Sequence, residues 1–147
     1  MGLLLFFPTP IFEKEDVMPE DFNQKLEKTI IEYSKTNEEA KNWSQKFYGK
    51  GFTTYGSDTK LHQKEAIFKE LSEGLIPTVK EFLASVKAVE PKTIECVDMW
   101  CTINKPLSLH PRHIHPFSAC SGTYYVNAEP DRGNINIHDP YDNRSMG

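Results

Sequence analysis

The sequence predicts an α+β domain, with N-terminal helices packed on an antiparallel sheet. Three observations carry that class. Two segments within residues 13–90 repeat apolar side chains at helical spacing. From about residue 93 the pattern changes to β-branched and aromatic runs separated by Pro, Gly, Asp and Asn. Helical and extended segments do not alternate, as a doubly wound fold would require.

The elements follow in chain order. "LLLFFPTPIF" is apolar enough for a strand, and Pro8 and Pro10 place it at a sheet edge or a bend. "PEDFNQKLEKTIIEYSK" predicts an amphipathic helix near residues 20–35. Glu20 and Asp21 suit its positive N-terminus, and Phe22, Leu26, Ile30 and Tyr33 fall on one face. "NWSQKFYGKGFTTYGS" reads as a loop holding a short extended piece. "HQKEAIFKELSEGLIPTVKEFLASVKA" predicts a second helical region near 63–87, through Ala66, Ile67, Leu71, Leu75, Val79, Phe82, Leu83 and Val86. Gly74 and Pro77 are expected to kink or split it, since proline lacks an amide donor and clashes with the preceding turn. His62, just ahead of that region, has no partner in the pattern and reads as a surface histidine. The sheet is expected to include 94–103, 120–127 and 133–138, within or overlapping the β-rich runs "TIECVDMWCTI", "GTYYVNA" and "GNINIHD".

Length and composition bound the rest. The 147 residues suit one domain, residues 1–147, with helical support over 13–90 and a β core over 93–140. Hydrophobic and charged fractions of 38% and 26% argue against wholesale disorder. A net charge of −4 with no basic run counts against a nucleic-acid partner, because phosphate binding needs a cationic surface. The apolar opening "MGLLLFF" is too short to cross a bilayer and lacks the basic flank of a signal peptide. Cys96, Cys101 and Cys120 form no even framework and no Cys-x-x-Cys pair. They read as free thiols, which suits a reducing, cytoplasmic setting.

The chemistry concentrates in "HPRHIHPFSACSGTYYV", residues 110–126. In extended backbone, residues two apart project to one side, so His113 and His115 can aim both imidazoles into one space, with Ile114 directed away. Two neutral imidazoles suit a divalent ion such as iron(II), cobalt or zinc. The same spacing also fits a solvated loop pair. His110 sits off that face and reads as a supporting or solvent-facing ring. Pro116 would end strand pairing just beyond.

The pattern "W…HIHPFSACSGTYYV…GNINIHDP" resembles the iron(II)/2-oxoglutarate-dependent oxygenase family of marine bacteria and phages. Trp100, His113, Ser118, Ser121, Gly122, Tyr124, Tyr125, Gly133, Asp139 and Pro140 fall at that family's motif positions. "LFFPTPIF" and "FTTYGS" match its opening and middle loop. The resemblance implies a partial jelly roll (double-stranded β-helix), Fe(II) as metal and 2-oxoglutarate as co-substrate. It places His113 as first metal ligand and His115 where the wider superfamily uses a carboxylate. The face is then all histidine, or its carboxylate comes from elsewhere, with Asp139 the nearest candidate. Among cofactor-binding candidates, Trp100 either lines the pocket or fills core. Of Tyr124 and Tyr125, one is expected to face the cavity and the other to pack under the helices. Ser121 is a further cofactor candidate, although with Gly122 it reads first as allowing tight backbone passage. Relatives continue into a segment carrying a distal histidine and an arginine clamp. No histidine follows His138 here, and Arg132 and Arg144 lie outside that context, so the chain is expected to be truncated at its C-terminus.

The resemblance thus implies a hydroxylase-like dioxygenase acting on an unknown small molecule or protein side chain, with no membrane partner and with self-association as an option. Two alternatives stand beside it. One is a non-catalytic jelly-roll remnant that binds a ligand or serves a structural role. The other is a zinc or nickel binder without redox chemistry.

Overall fold

A computed structural model describes residues 9–88, 91–106, 108, 110–128 and 135–138. Four helices and a small sheet make up its regular structure: α1 (Glu20–Thr36), α2 (Glu38–Phe47), β1 (Phe52–Thr53), α3 (Leu61–Lys64), α4 (Ala66–Ser85) and β2 (Thr102–Ile103). The strands pair antiparallel, with Phe52 opposite Ile103 and Thr53 opposite Thr102.

Helix α1 forms as its pattern dictates. Glu20 and Asp21 sit in its first turn, and Phe22, Leu26 and Ile30 recur every four residues and are buried. Helix α2 covers residues 42–47, which composition read as loop, and begins four residues ahead of them. Its start is marked by Asn37, whose side-chain oxygen accepts from the Ala40 amide at 2.9 Å, followed by Glu38 and Glu39. An Asn cap with acids in the first turn satisfies an orphan donor and complements the helix dipole, so the signal was present. Ala40 and Ser44, one turn apart, are its buried face.

The second helical region does divide, but at Glu65 rather than at Gly74 or Pro77. Glu65 takes an extended conformation between α3 and α4, and α4 then runs through Pro77 without interruption. Its buried positions are Phe68 and Leu71, while Ala66 and Val86 are exposed. The core therefore draws on a slightly different stripe from the one periodicity selected. Phe22, Leu26, Ile30, Ala40, Phe52, Leu61, Phe68, Leu71 and Cys101 form one cluster. Within it, burial pushes the Cys101 thiol up to about 12, which makes it an inert apolar group.

The sheet is much smaller than the alternating pattern suggested. Of 94–103, only Thr102–Ile103 forms a strand, although Met99 and Cys101 are also tied to residues 54–61. The Met99 amide donates to the Thr59 carbonyl at 2.8 Å, Leu61 to Met99 at 3.1 Å, and Thr54 to Cys101 at 3.1 Å. Residues 120–127 join no ladder. Side-chain bonds to α1 hold them instead, from Tyr124 to Asn23 and from Asn127 to Glu27. Without a neighbouring strand, their β propensity finds no partner backbone. Of the expected 133–138 strand, 135–138 are exposed and unpaired, while 133 and 134 lie outside the described residues. The N-terminal strand falls partly outside them too, and 9–12 form no strand. The described residues thus form a mixed fold with one two-stranded sheet, and no jelly roll is among their elements.

A buried polar seam joins α2 to β1. Ser44 Oγ donates to the Thr53 carbonyl at 3.0 Å and accepts from the Thr53 amide at 2.9 Å, while Thr102 Oγ1 bonds Thr53 Oγ1 at 3.0 Å. Ser44→Ala would leave both backbone groups of Thr53 without partners inside the protein. The expected loss is about 1–3 kcal/mol, read from the urea midpoint. An unchanged midpoint would mean that Thr53 finds other partners.

Candidate metal centre

The segment 110–115 leaves the sheet after β2 and joins no ladder among the described residues. The imidazoles of His113 and His115 nonetheless converge. Their Nε2 atoms lie 3.1 Å apart, and the rings meet edge to face at 4.8 Å. Ile114 between them points outward, 76% exposed.

The protons on these rings follow from their partners. His113 Nδ1 lies 2.8 Å from the Pro111 carbonyl, which can only accept, so this nitrogen carries the proton. Neutral His113 therefore presents a bare Nε2, and the 3.1 Å contact is filled by the Nε2–H of His115. A metal ion would replace that bridging proton once His115 shifts to its other tautomer. The backbone bond at His113 Nδ1 is the kind that fixes tautomer and ring orientation in metal sites. With both nitrogens about 2.1 Å from an ion, a 3.1 Å separation corresponds to an angle of about 95° at the metal. That is the cis geometry two members of a facial triad need. The pair fits iron on that test.

A wall of rings surrounds the pair. His110 stacks on His113 at 4.7 Å, and the edge of Tyr48 meets His110 at 5.3 Å. On the other side Trp100 stacks on His115 at 5.5 Å, nearly parallel at 20°. Trp100 is only partly buried, so it lines the site rather than filling core. Beyond it stand Tyr55 and Trp43. The indole of Trp43 covers Gly56 so closely that a Cβ there would come within 1.8 Å of the ring. Tyr48, from the end of α2, is anchored by its hydroxyl to Asn104. Neither Tyr48 nor Tyr55 was singled out from the sequence. The signal available was the aromatic density of residues 43–55.

Burial first, and then the neighbouring His113, holds His110 and His115 below the ordinary imidazole value of 6.5. Protons therefore bind these rings more readily in the unfolded chain. The resulting stability is complete above about pH 6.5 and falls as the pH drops through the lowered values. Metal-free protein should show a falling urea midpoint between about pH 7 and about pH 5, a window above ordinary carboxylate titration. The slope should shrink in a His110→Asn, His115→Asn double variant. An equal slope in that variant would refute the assignment.

Other expected site residues lie elsewhere. Tyr124 donates its hydroxyl to Asn23 of α1 and packs against the core, and Tyr125 is 55% exposed. Ser121 is exposed. A Cβ added at Gly122 would meet nothing, so no tight passage requires glycine there. His62 is not a surface residue. It is 8% exposed, because α3 turns it inward beside Leu61, and among the described residues neither ring nitrogen has a partner. Asp139 and Pro140 lie outside the described residues, as do Gly133, Arg132 and Arg144. Among the described residues no third His, Cys, Asp or Glu joins the pair in a metal-binding group. No helix among them is long and apolar enough to cross a membrane.

A mixed α and β fold presenting two convergent imidazoles in an aromatic setting defines a candidate metal-binding protein. Residues 98–147 match the family model described as "Putative 2OG-Fe(II) oxygenase", a segment that includes Trp100, His113 and His115. The match covers the C-terminal third of the chain and makes that segment similar to the 2OG-Fe(II) oxygenases. The likeness expected upstream, at "LFFPTPIF" and "FTTYGS", lies outside the matched segment. No curated protein and no solved structure matches the chain.

Proposed function

We propose that this chain carries the metal-binding part of an iron(II)/2-oxoglutarate-dependent oxygenase that hydroxylates a small molecule or a protein side chain. The observation that carries this reading is the 3.1 Å convergence of His113 and His115 within the family-matched segment. His113 offers Nε2 with its tautomer set by the Pro111 carbonyl, and His115 offers Nε2 from a ring braced by Trp100. Asp139 is the candidate for a carboxylate ligand. Iron(II) held there, with 2-oxoglutarate and O₂, would supply the oxidation of an unactivated C–H bond. The chain's own part is to hold two neutral nitrogens cis to each other and to flank them with the His110 ring on one side and the Trp100 ring on the other. Tyr124 is already committed to Asn23 and takes no co-substrate role in this reading.

Cobalt(II) titration under anaerobic conditions, followed by 2-oxoglutarate, tests the proposal. One equivalent of cobalt should bind, and 2-oxoglutarate should then change its visible ligand-field spectrum. Asp139→Asn should weaken the metal binding. A bound metal whose spectrum ignores 2-oxoglutarate would point instead to the non-redox zinc or nickel binder. Absence of metal binding would point to the non-catalytic remnant.

A further inference from the structure

We propose that Trp100 and Tyr55 form a one-electron path from the histidine pair to solvent, an outlet for oxidising equivalents produced at the metal when no substrate is present. The proposal rests on the oxygenase reading, since it needs a strong oxidant at His113 and His115. Its warrant is the order of the rings. Trp100 stacks on His115 with centroids 5.5 Å apart, and Tyr55 meets Trp100 edge-on at 5.1 Å. At such separations the ring edges are in van der Waals contact. Electron transfer weakens exponentially with the gap between edges, so contact makes each step fast. Tyr55 is 46% exposed, so this residue reaches solvent.

The chemistry balances along this route. The Trp100 indole would give up one electron to a strong oxidant held at the histidine pair. Tyr55 returns one electron to that indole and gives its phenolic proton to water, leaving a neutral tyrosyl radical. A soluble thiol then gives Tyr55 a hydrogen atom and leaves as a thiyl radical. Loss of the proton drives the second step, so the terminal ring must reach solvent.

That requirement separates Tyr55 from the tyrosine on the opposite flank. Tyr48 touches the histidine cluster through His110, but it is 4% exposed and donates its hydroxyl to the Asn104 amide oxygen. An amide oxygen is too weak a base to take the proton. Burial also raises the Tyr48 hydroxyl above its ordinary value. Trp43, 6.2 Å from Tyr55, extends the ring series away from the histidines.

Pulse radiolysis with the azide radical tests the path in the metal-free protein. Azide radical oxidises indoles selectively, and the chain has two, Trp43 and Trp100. In the parent protein the indolyl absorption should decay as the phenoxyl absorption grows, at a rate independent of protein concentration. Trp43→Phe leaves Trp100 as the sole indole and should keep this transfer. Tyr55→Phe should lose it, and Tyr48→Phe should retain it. Should Trp43→Phe fail to fold, as judged by circular dichroism, Trp100→Phe takes its place, because Trp43 also touches Tyr55; undiminished transfer in Trp100→Phe would overturn the proposal. Persistence of the transfer in Tyr55→Phe, or its absence from the parent, would overturn the proposal. Because no metal takes part, these results stand apart from whether His113 and His115 bind iron.

Discussion

Replacing either His113 or His115 with alanine should abolish stoichiometric binding of iron(II) or cobalt(II) while leaving the far-ultraviolet circular dichroism unchanged. The two nitrogens lie 3.1 Å apart, and among the described residues no other His, Cys, Asp or Glu completes a metal-binding group with them. Each therefore supplies a large share of the described donor set. The fold does not depend on them, because the buried cluster spans α1 to β2 and includes neither ring. Affinity in the parent should also fall as the pH drops, since a protonated imidazole has no lone pair to give. The lowered value of His115 keeps its nitrogen available to more acidic pH than a free imidazole would allow. His110→Ala gives a graded comparison. It removes the ring stacked on His113 but no nitrogen of the pair, so binding should weaken rather than vanish. Unaltered cobalt affinity in both His113→Ala and His115→Ala would refute the assignment. A collapsed spectrum would mean that the pair serves the fold instead.

Leu61→Ala should be the most damaging core substitution near the site. Leu61 is fully buried, and its amide donates to the Met99 carbonyl at 3.1 Å, immediately before Trp100. Truncation leaves a cavity under the segment that carries the ring wall, at a cost of about 2–5 kcal/mol. For a chain of this size that corresponds to a Tm lower by about 4–20 °C. Two ion pairs flank the same junction, Lys60 with Asp98 at 2.9 Å and Lys64 with Asp58 at 2.7 Å. Three of the four side chains are largely exposed, so these pairs are too weak to offset a loss of that size. Calorimetry checks the stability, and Trp fluorescence in the Trp43→Phe background reports on Trp100 alone. A Tm within about 2 °C of the parent would require less than about 1 kcal/mol, and would show that the neighbouring side chains collapse into the space.

The sequence by itself determined the helical face of α1, the free state of the cysteines and the approach of His113 to His115. These are local properties. A four-residue apolar repeat buries one side of a helix wherever that helix docks. The histidines were legible for a related reason, since residues two apart are close whether or not their backbone pairs. The cap at Asn37 was equally local, though the aromatics of residues 42–48 masked it.

Only the tertiary structure decided the rest. The β-rich runs were real as composition, but strands need a partner backbone, and 120–127 meets side chains of α1 instead. His62 looked solvent-facing because nothing in its own segment partners it. The contact of α3 with the 98–101 segment put it inside. Tyr48 and Tyr55 stand far from Trp100 and the histidines in the chain and reach them only through the pairing of 52–61 with 99–103. Sequence spacing reports which residues are neighbours along the backbone. Which rings surround a metal pair depends on contacts across the fold, and those follow from the packing of the whole core.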